Sequence, residues 1–122
     1  MDACFVVVFD ADAVHDLESL KGKQERNAVY AVIDKLRTLG PDLKPPHVKS
    51  LKGEAGLLEL RPRQGSSPVR PIYRRIGKVY VILAFSVKPD KVDFEAAVAA
   101  ARKRSLRYRV DVPITQRLSS SR

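Results

Sequence analysis

Residues 72–87 restrict the fold more than any other part of the chain. Ile72-Tyr73-Arg74-Arg75-Ile76 is followed by Gly77-Lys78 and then by the apolar run Val79 to Val87. Gly-Lys between two runs rich in β-branched and aromatic residues is a tight turn, so the segments pair as an antiparallel hairpin. Leu57-Leu58-Glu59-Leu60-Arg61 supplies a strand before it, with Pro62 to Pro71 as the polar connection. CFVVVF at 4–9 is another strand, and its unbroken apolar character predicts a central position buried on both faces.

Two helices are expected between that first strand and the rest. Asp10 or Asp12 caps the first, along which Val14, Leu17 and Leu20 recur before Gly22 interrupts it. Ala28, Val29, Val32, Ile33, Leu36 and Leu39 then follow the i, i+3, i+4, i+7 rule over 23–39, and Gly40-Pro41 is a stop signal. Such an αα-hairpin carries an apolar stripe that a sheet must cover. Residues 41–56 hold three prolines and two glycines without a period and read as an irregular loop. Asp93 is the expected N-cap of an alanine-rich helix to about residue 107, with Phe94, Ala97, Val98 and Ala101 on one face. The order β-α-α-β-β-β-α groups its helices before the hairpins, which makes the fold α+β. Residues 1–108 read as one domain and 109–122 as a tail loose at its end.

The chain carries 23 Lys+Arg against 14 Asp+Glu, a formal net charge of +9. Divided after Glu59, the first half holds 8 cations and 10 anions and the second 15 and 4; 11 of those 15 cations are arginine. The planar fork of arginine suits phosphate, so the excess points to a polyanion, nucleic acid first. One cysteine and two histidines complete neither a disulfide framework nor a zinc site, which suits a reducing cytoplasm; no metal and no cofactor is expected. The apolar run at 4–9 falls far short of the roughly 18 residues of a membrane span, and Met1-Asp2 lacks the positive start of a signal peptide. Neither a Gly-x-Gly-x-x-Gly pattern nor a phosphate loop occurs, which removes kinase and dehydrogenase chemistry.

Strand alternation puts Leu57, Glu59 and Arg61 on one face and Leu58 and Leu60 on the other. In the hairpin, Ile72, Arg74 and Ile76 share one face and Tyr73 and Arg75 the other, so one of the two arginines points with Arg61. Arginines on a common face of neighbouring strands repel unless an anion lies between them. The alternative is that Glu59 neutralises Arg61 or Arg74 within the sheet. His47, in the basic loop after Pro45-Pro46, has an ordinary pKa of about 6.5 that suits a base at neutral pH, or it is a plain loop residue. A lysine among other cations is the other candidate base. His15, beside Asp12, Asp16 and Glu18, reads as a surface residue, and Tyr73 and Tyr80 as packed strand residues. Arg102, Lys103, Arg104, Arg107 and Arg109 read either as a solvated basic helix end or as contacts to a nucleic acid.

The ordered series GPDLKPPHVKSLKGEAGLLELRP, IYRRIG, a strand ending in Phe85 and Lys88, and an alanine-rich helix with an acidic start resembles the RelE/HigB-type toxins of type II toxin–antitoxin systems. It is similar to their phage-derived branch in particular, over about Val6 to Arg104, most specifically at Leu51-Lys52-Gly53, Gly56 to Arg61 and Tyr73-Arg74. The resemblance implies an N-terminal strand and a helical hairpin packed on a twisted antiparallel sheet with a C-terminal helix. It also implies a cytoplasmic endoribonuclease that cuts mRNA on ribosomes and is neutralised by a cognate antitoxin, of helix-turn-helix type. The chemistry implied is metal-independent attack of a ribose 2′-hydroxyl on its own phosphodiester, which requires a base, phosphate-binding cations and help for the 5′-oxygen. Carried over by position, Arg61, Arg74 and Lys88, with Lys52 and His47, are the implied catalytic set. Lys49, Arg70, Arg75, Lys91, Arg102 and Arg104 are the implied RNA contacts. Phe94 or Tyr108 stands where such proteins stack a base. Two other classes stay open: a gyrase-inhibiting toxin of ParE type, and a simple RNA-binding module.

Overall fold

The computed structural model describes residues 5–54, 56–61, 68–88 and 90–108. Cys4 at the expected strand start, residues 62–67 of the polar connection and the tail 109–122 lie outside the described residues. Along the chain come β1 (Val6–Phe9), α1 (Ala11–Glu18), α2 (Lys23–Leu39), a 3-10 turn (Gly40–Asp42), β2 (Val48–Ser50), β3 (Leu57–Leu60), β4 (Arg70–Ile76), β5 (Val79–Ser86) and α3 (Lys91–Ser105). The strands form one sheet in the order β1-β5-β4-β3-β2. β2 to β5 run antiparallel, and β1 joins parallel to β5 with Val6 opposite Val79.

The hairpin closes as expected through Gly77-Lys78, with Ile76 opposite Val79 and Gly77 at φ +63°. β5, and not β1, is the strand buried on both faces. Tyr80, Ile82 and Phe85 point to α1 and α2, while Val81, Leu83 and Ala84 point to α3. Leu83 and Ala84 share the α3 side because a bulge opposite Ile72/Tyr73 shifts the register by one residue. β1 lies at the sheet edge: Phe5, Val7 and Phe9 pack on the helical hairpin, but Val6 and Val8 are 54% and 39% exposed. The expectation of a central β1 fails because α3 packs chiefly on β5 and β4, so an apolar run at the edge has one face largely uncovered.

On the other side, Ala13, Leu17 and Leu20 of the α1 segment and Val29, Val32, Ile33 and Leu36 of α2 form the larger core with Leu60 and Tyr73. Val14 and Leu39, predicted on the apolar stripe, face out at 39% and 41% exposure. Truncating fully buried Ile33 or Leu60 to alanine is a cavity-forming change worth about 2–5 kcal/mol. α2 ends at Gly40, whose φ is +52° and where a Cβ would stand 2.4 Å from the Phe5 ring, so glycine is required twice over. Asp10, rather than Asp12, caps α1 by accepting from the Asp12 N–H at 2.9 Å. The loop 41–56 is less irregular than its composition suggests, since Val48–Ser50 pairs with β3 as a short edge strand. Among the described residues no helix is long and apolar enough to cross a membrane.

Candidate active site

The ends of several elements converge at one corner of the α3 face. β3 runs out into Arg61, β4 opens with Arg70 opposite Ser86 at the end of β5, and β5 continues to Lys88 just before α3 begins at Lys91. Lys49 of β2 pairs opposite Glu59 of β3. These five cations line a cleft of about 420 Å³ together with Glu59, Pro68, Ser86, Asp90 and Phe94. Five positive side chains against two carboxylates leave it net positive, and an anion is the ligand that relieves the repulsion.

Local hydrogen bonds hold the corner. Asp90, and not the expected Asp93, is the N-cap of α3, accepting from the Asp93 N–H at 2.7 Å. The Asp93 carboxylate instead reaches back to the end of the sheet, where it accepts from the Val87 N–H at 2.7 Å, the Lys88 N–H at 2.9 Å and the Ser86 hydroxyl at 3.4 Å. An acid in the first turn of α3 thereby fixes the backbone that carries Lys88. The Asp90-x-x-Asp93 spacing is the signal, a variant of the capping box in which the second acid serves the preceding strand. Arg61 donates its backbone N–H to the His47 carbonyl at 2.8 Å, and its Nε lies 3.4 Å from Glu59 Oε1. The expected Glu59–Arg61 pair therefore exists. With five donors, a guanidinium can hold that buried carboxylate and a phosphate at once.

The remaining sequence candidates lie elsewhere. Arg74 does share the sheet face of Arg61, but it sits opposite Leu57, at roughly 13 Å along the strand by a rise of about 3.3 Å per residue. There its Nη1 donates to Ser105 Oγ at 2.7 Å and lies 3.4 Å from the Ser105 and Tyr108 carbonyls. The expected pair of arginines is thus split between the two ends of α3, and no anion is needed to keep them apart. His47 is half-buried, its backbone tied to Lys44 and Arg61, and its side chain does not line the cleft. Arg75 is at the hairpin turn, bonded to the Gly77 carbonyl at 2.7 Å and 5.8 Å above the Tyr80 ring. Lys52 and Arg102 line an adjoining groove.

Arg102 and Arg104 are implied RNA contacts and Arg107 reads as a solvated end or such a contact, yet all three pair with carboxylates of this chain. Arg102 makes a two-pronged bond to Glu54 at 2.8 and 2.6 Å, which holds the Glu54 carboxyl below its ordinary range. Arg104 donates to Asp16 and to the Leu83 carbonyl, both at 2.8 Å, the latter beside the β5 bulge. Arg107 bonds Asp10 and Asp12. Here acidic residues of the first half of the chain neutralise basic residues of the second. Among the described residues no group of three or more His, Cys, Asp or Glu side chains is arranged to hold a metal ion.

Residues 15–105 match the model of the family described as phage derived protein Gp49-like (DUF891). The chain belongs to that family. That match lies over the stretch in which the ordered motifs resemble the RelE/HigB-type toxins. The Gp49-like fold here is similar to the structure of a mutant of the Escherichia coli toxin RelE in the free state, with a TM-score of 0.58 and 16% identity over 79% of this chain and 96% of that one. No curated protein matches.

Proposed function

We propose that this Gp49-like chain is the toxin of a type II toxin–antitoxin system and acts as an mRNA endonuclease, working in the cytoplasm on mRNA held by translating ribosomes. The observation that carries this reading is the cleft itself, in which Arg61, Arg70 and Lys88 come from three strand ends and Lys49 and Lys91 close the sides. A folded-back ribose phosphate needs such a set, because the pentacoordinate phosphorane gains negative charge while the 2′-oxygen forms its bond to phosphorus and the bond to the 5′-oxygen breaks. The products are a 2′,3′-cyclic phosphate and a free 5′-hydroxyl.

Arg61 and Arg70 are assigned to the non-bridging oxygens, and Lys88 to the departing 5′-oxygen, which it stabilises and protonates. For the 2′-proton, Glu59 replaces His47 as the candidate acceptor. Among the described cleft side chains only Glu59 and Asp90 are anionic, and Asp90 Oδ1 is occupied by the α3 cap. Glu59 is 2% exposed and lies against Arg61, so a proton taken from the ribose stays beside the phosphate it serves. Lys49 and Lys91 hold neighbouring phosphates. The antitoxin proposed for this chain is a small helix-turn-helix protein with an acidic segment that fills the cleft, since that segment would cancel its charge.

The test is to incubate the purified protein with translating ribosomes and map new mRNA 5′ ends. The expected result is cuts within translated codons by the wild type and on the order of 100-fold fewer by Lys88→Ala. RNA bound without cuts would establish the simple binding module instead, and loss of gyrase supercoiling without cuts the ParE-type inhibitor.

A further inference from the structure

Ser86, opposite Arg70, is the last pair of the β4–β5 ladder, and Val87 and Lys88 lie past it. Their N–H groups both turn to one atom, Asp93 Oδ2, at 2.7 and 2.9 Å, and the Ser86 hydroxyl lies 3.4 Å from the same oxygen. Two successive N–H groups meet a single acceptor where the backbone bends, so the carboxylate fixes the bend from which Lys88 projects. Hydrogen bonds to a charged acceptor are the stronger kind, and these hold the chain at the point where its ladder has ended. α3 does not need this carboxylate as its cap, because Asp90 already accepts from the Asp93 N–H. Asp93 is half-buried and does not line the cleft, whereas Ser86 and Lys88 do. Lys88 is exposed, and among the described residues its ammonium makes no ion pair, so the course of the backbone decides where it reaches.

Resting on the endonuclease reading, we infer that Asp93 is a positioning residue for cleavage: without touching RNA it sets the place of Lys88, and with it the transfer of a proton to the departing oxygen. As the 2′-oxygen bonds to phosphorus, the electron pair of the breaking bond passes to the 5′-oxygen, which takes its proton from Lys88 Nζ. A lysine carries its charge on a flexible four-carbon stem, so a donor of this kind has to be aimed by the backbone it hangs from. Misplacing a reacting group by about 1 Å costs on the order of 100-fold in rate. The same carboxylate ties the end of β5 to the first turn of α3, and Ser86 at that end pairs opposite Arg70. One acid thus keeps the proton donor in step with an arginine assigned to the non-bridging oxygens.

The test is a double-mutant cycle on ribosomes programmed with a synthetic mRNA that carries one mapped cut. Asp93→Ala should lower kcat about 10- to 100-fold with KM within about twofold, because the proton is needed only as the bond breaks. Added to Lys88→Ala it should cost less than about threefold more, since Asp93 acts through Lys88; a residue that merely stabilises the fold would slow both backgrounds alike. Replacing the 5′-oxygen at the cut by sulfur gives a thiolate leaving group, which departs without a proton, and should bring both single variants near the wild-type rate on the same RNA. Asp93→Asn keeps one acceptor oxygen and should show the same pattern with a loss of about 3- to 10-fold, so the cycle is read on it if Asp93→Ala does not fold. An unchanged kcat, additive losses in the cycle, or a sulfur substrate that fails to restore the Asp93 variant would each overturn the role of Asp93, while the wild-type cuts uphold the endonuclease. Absence of wild-type cuts overturns both.

Discussion

Arg107 Nη1 donates to both carboxylate oxygens of Asp10, at 3.0 and 2.9 Å, across 97 residues of sequence. Asp10 is 1% exposed and also accepts from the Tyr108 hydroxyl at 2.8 Å and from the Asp12 N–H as N-cap of α1. Asp10→Ala removes the cap and leaves the phenol and guanidinium without their shared partner. We expect a loss of roughly 3 kcal/mol, read as a fall in melting temperature on the order of 10 °C. A fall under about 3 °C in a calorimetric scan would show that this junction contributes little.

Acid should loosen this junction at Asp12, and separately the Glu54–Arg102 pair. Asp12 is held below its ordinary 3.8 first by its hydrogen bond to Arg107 and then by that charge, and Glu54 below 4.5 first by its hydrogen bond to Arg102. A carboxyl whose folded pKa is depressed contributes stability that is complete above its unfolded pKa and is lost as pH falls through the folded one. The urea midpoint should therefore be level down to the ordinary values of 4.5 and 3.8 and decline below them. Arg107→Gln should flatten the part of that decline due to Asp12. An acid slope identical in the variant and the wild type is the contrary result.

Two tyrosines should respond oppositely to loss of a hydroxyl. The Tyr80 hydroxyl is buried with no hydrogen-bond partner among the described residues, and burial pushes its pKa up. Tyr108 is pushed up to about 12, first by burial and then by its bond to Asp10. Tyr80→Phe should stabilise by up to about 1 kcal/mol, while Tyr108→Phe should destabilise by about 1.5 kcal/mol or more, because only the second loses a bond to a charged group. Chemical denaturation of the pair decides it, and equal signs would contradict the assignment.

Arg74 and Lys88 separate structure from chemistry. Arg74 ties β4 to the last turn of α3, so Arg74→Gln should lower the unfolding free energy by about 1–3 kcal/mol yet leave cleavage by the folded protein within about threefold. Lys88→Ala should leave the melting temperature almost unchanged and reduce cleavage on the order of 100-fold. If Arg74→Gln abolished cleavage while remaining folded, the site would have to be moved along β4.

Single-stranded RNA binding should weaken with salt at a slope of about 0.7 per phosphate neutralised, so Lys91→Ala should reduce the log–log slope by about that amount. Arg104→Gln should not change it, since Arg104 is paired with Asp16 inside the fold. A titration in which both variants shift the slope alike would mean that the α3 arginines reach the RNA after all.

The elements with strong periodicity were legible in the residues: α2 occupies 23–39, and the hairpin turns at Gly77-Lys78. β2 was hidden because Val48-Lys49-Ser50 has one apolar residue and its pairing comes from β3, not from any pattern of its own. β1 misled for the reverse reason. An apolar run states that something covers it, but Val6 and Val8 show that a strand can be apolar and only half covered. At the site, strand alternation says that one of Arg74 and Arg75 shares a face with Arg61, and offers a pairing of Glu59 with Arg61 or Arg74; the structure selects Arg74 for the first and Arg61 for the second. Alternation has no means of measuring the distance along the strand that divides the two arginines. The fate of Arg102, Arg104 and Arg107 was equally invisible, because their acidic partners lie 48 to 97 residues away.

Those long separations have a kinetic side. β1 emerges from a ribosome first, yet its partner β5 and the Arg107 that grips Asp10 are made near the other end of the chain. Contacts so distant in sequence form late and slowly. Of the cleft cations, Lys88 and Lys91 also follow most of the chain in order of synthesis. Until Lys88 and Lys91 have left the ribosome, a nascent copy therefore has no assembled cleft, and the corner containing Arg61 cannot close.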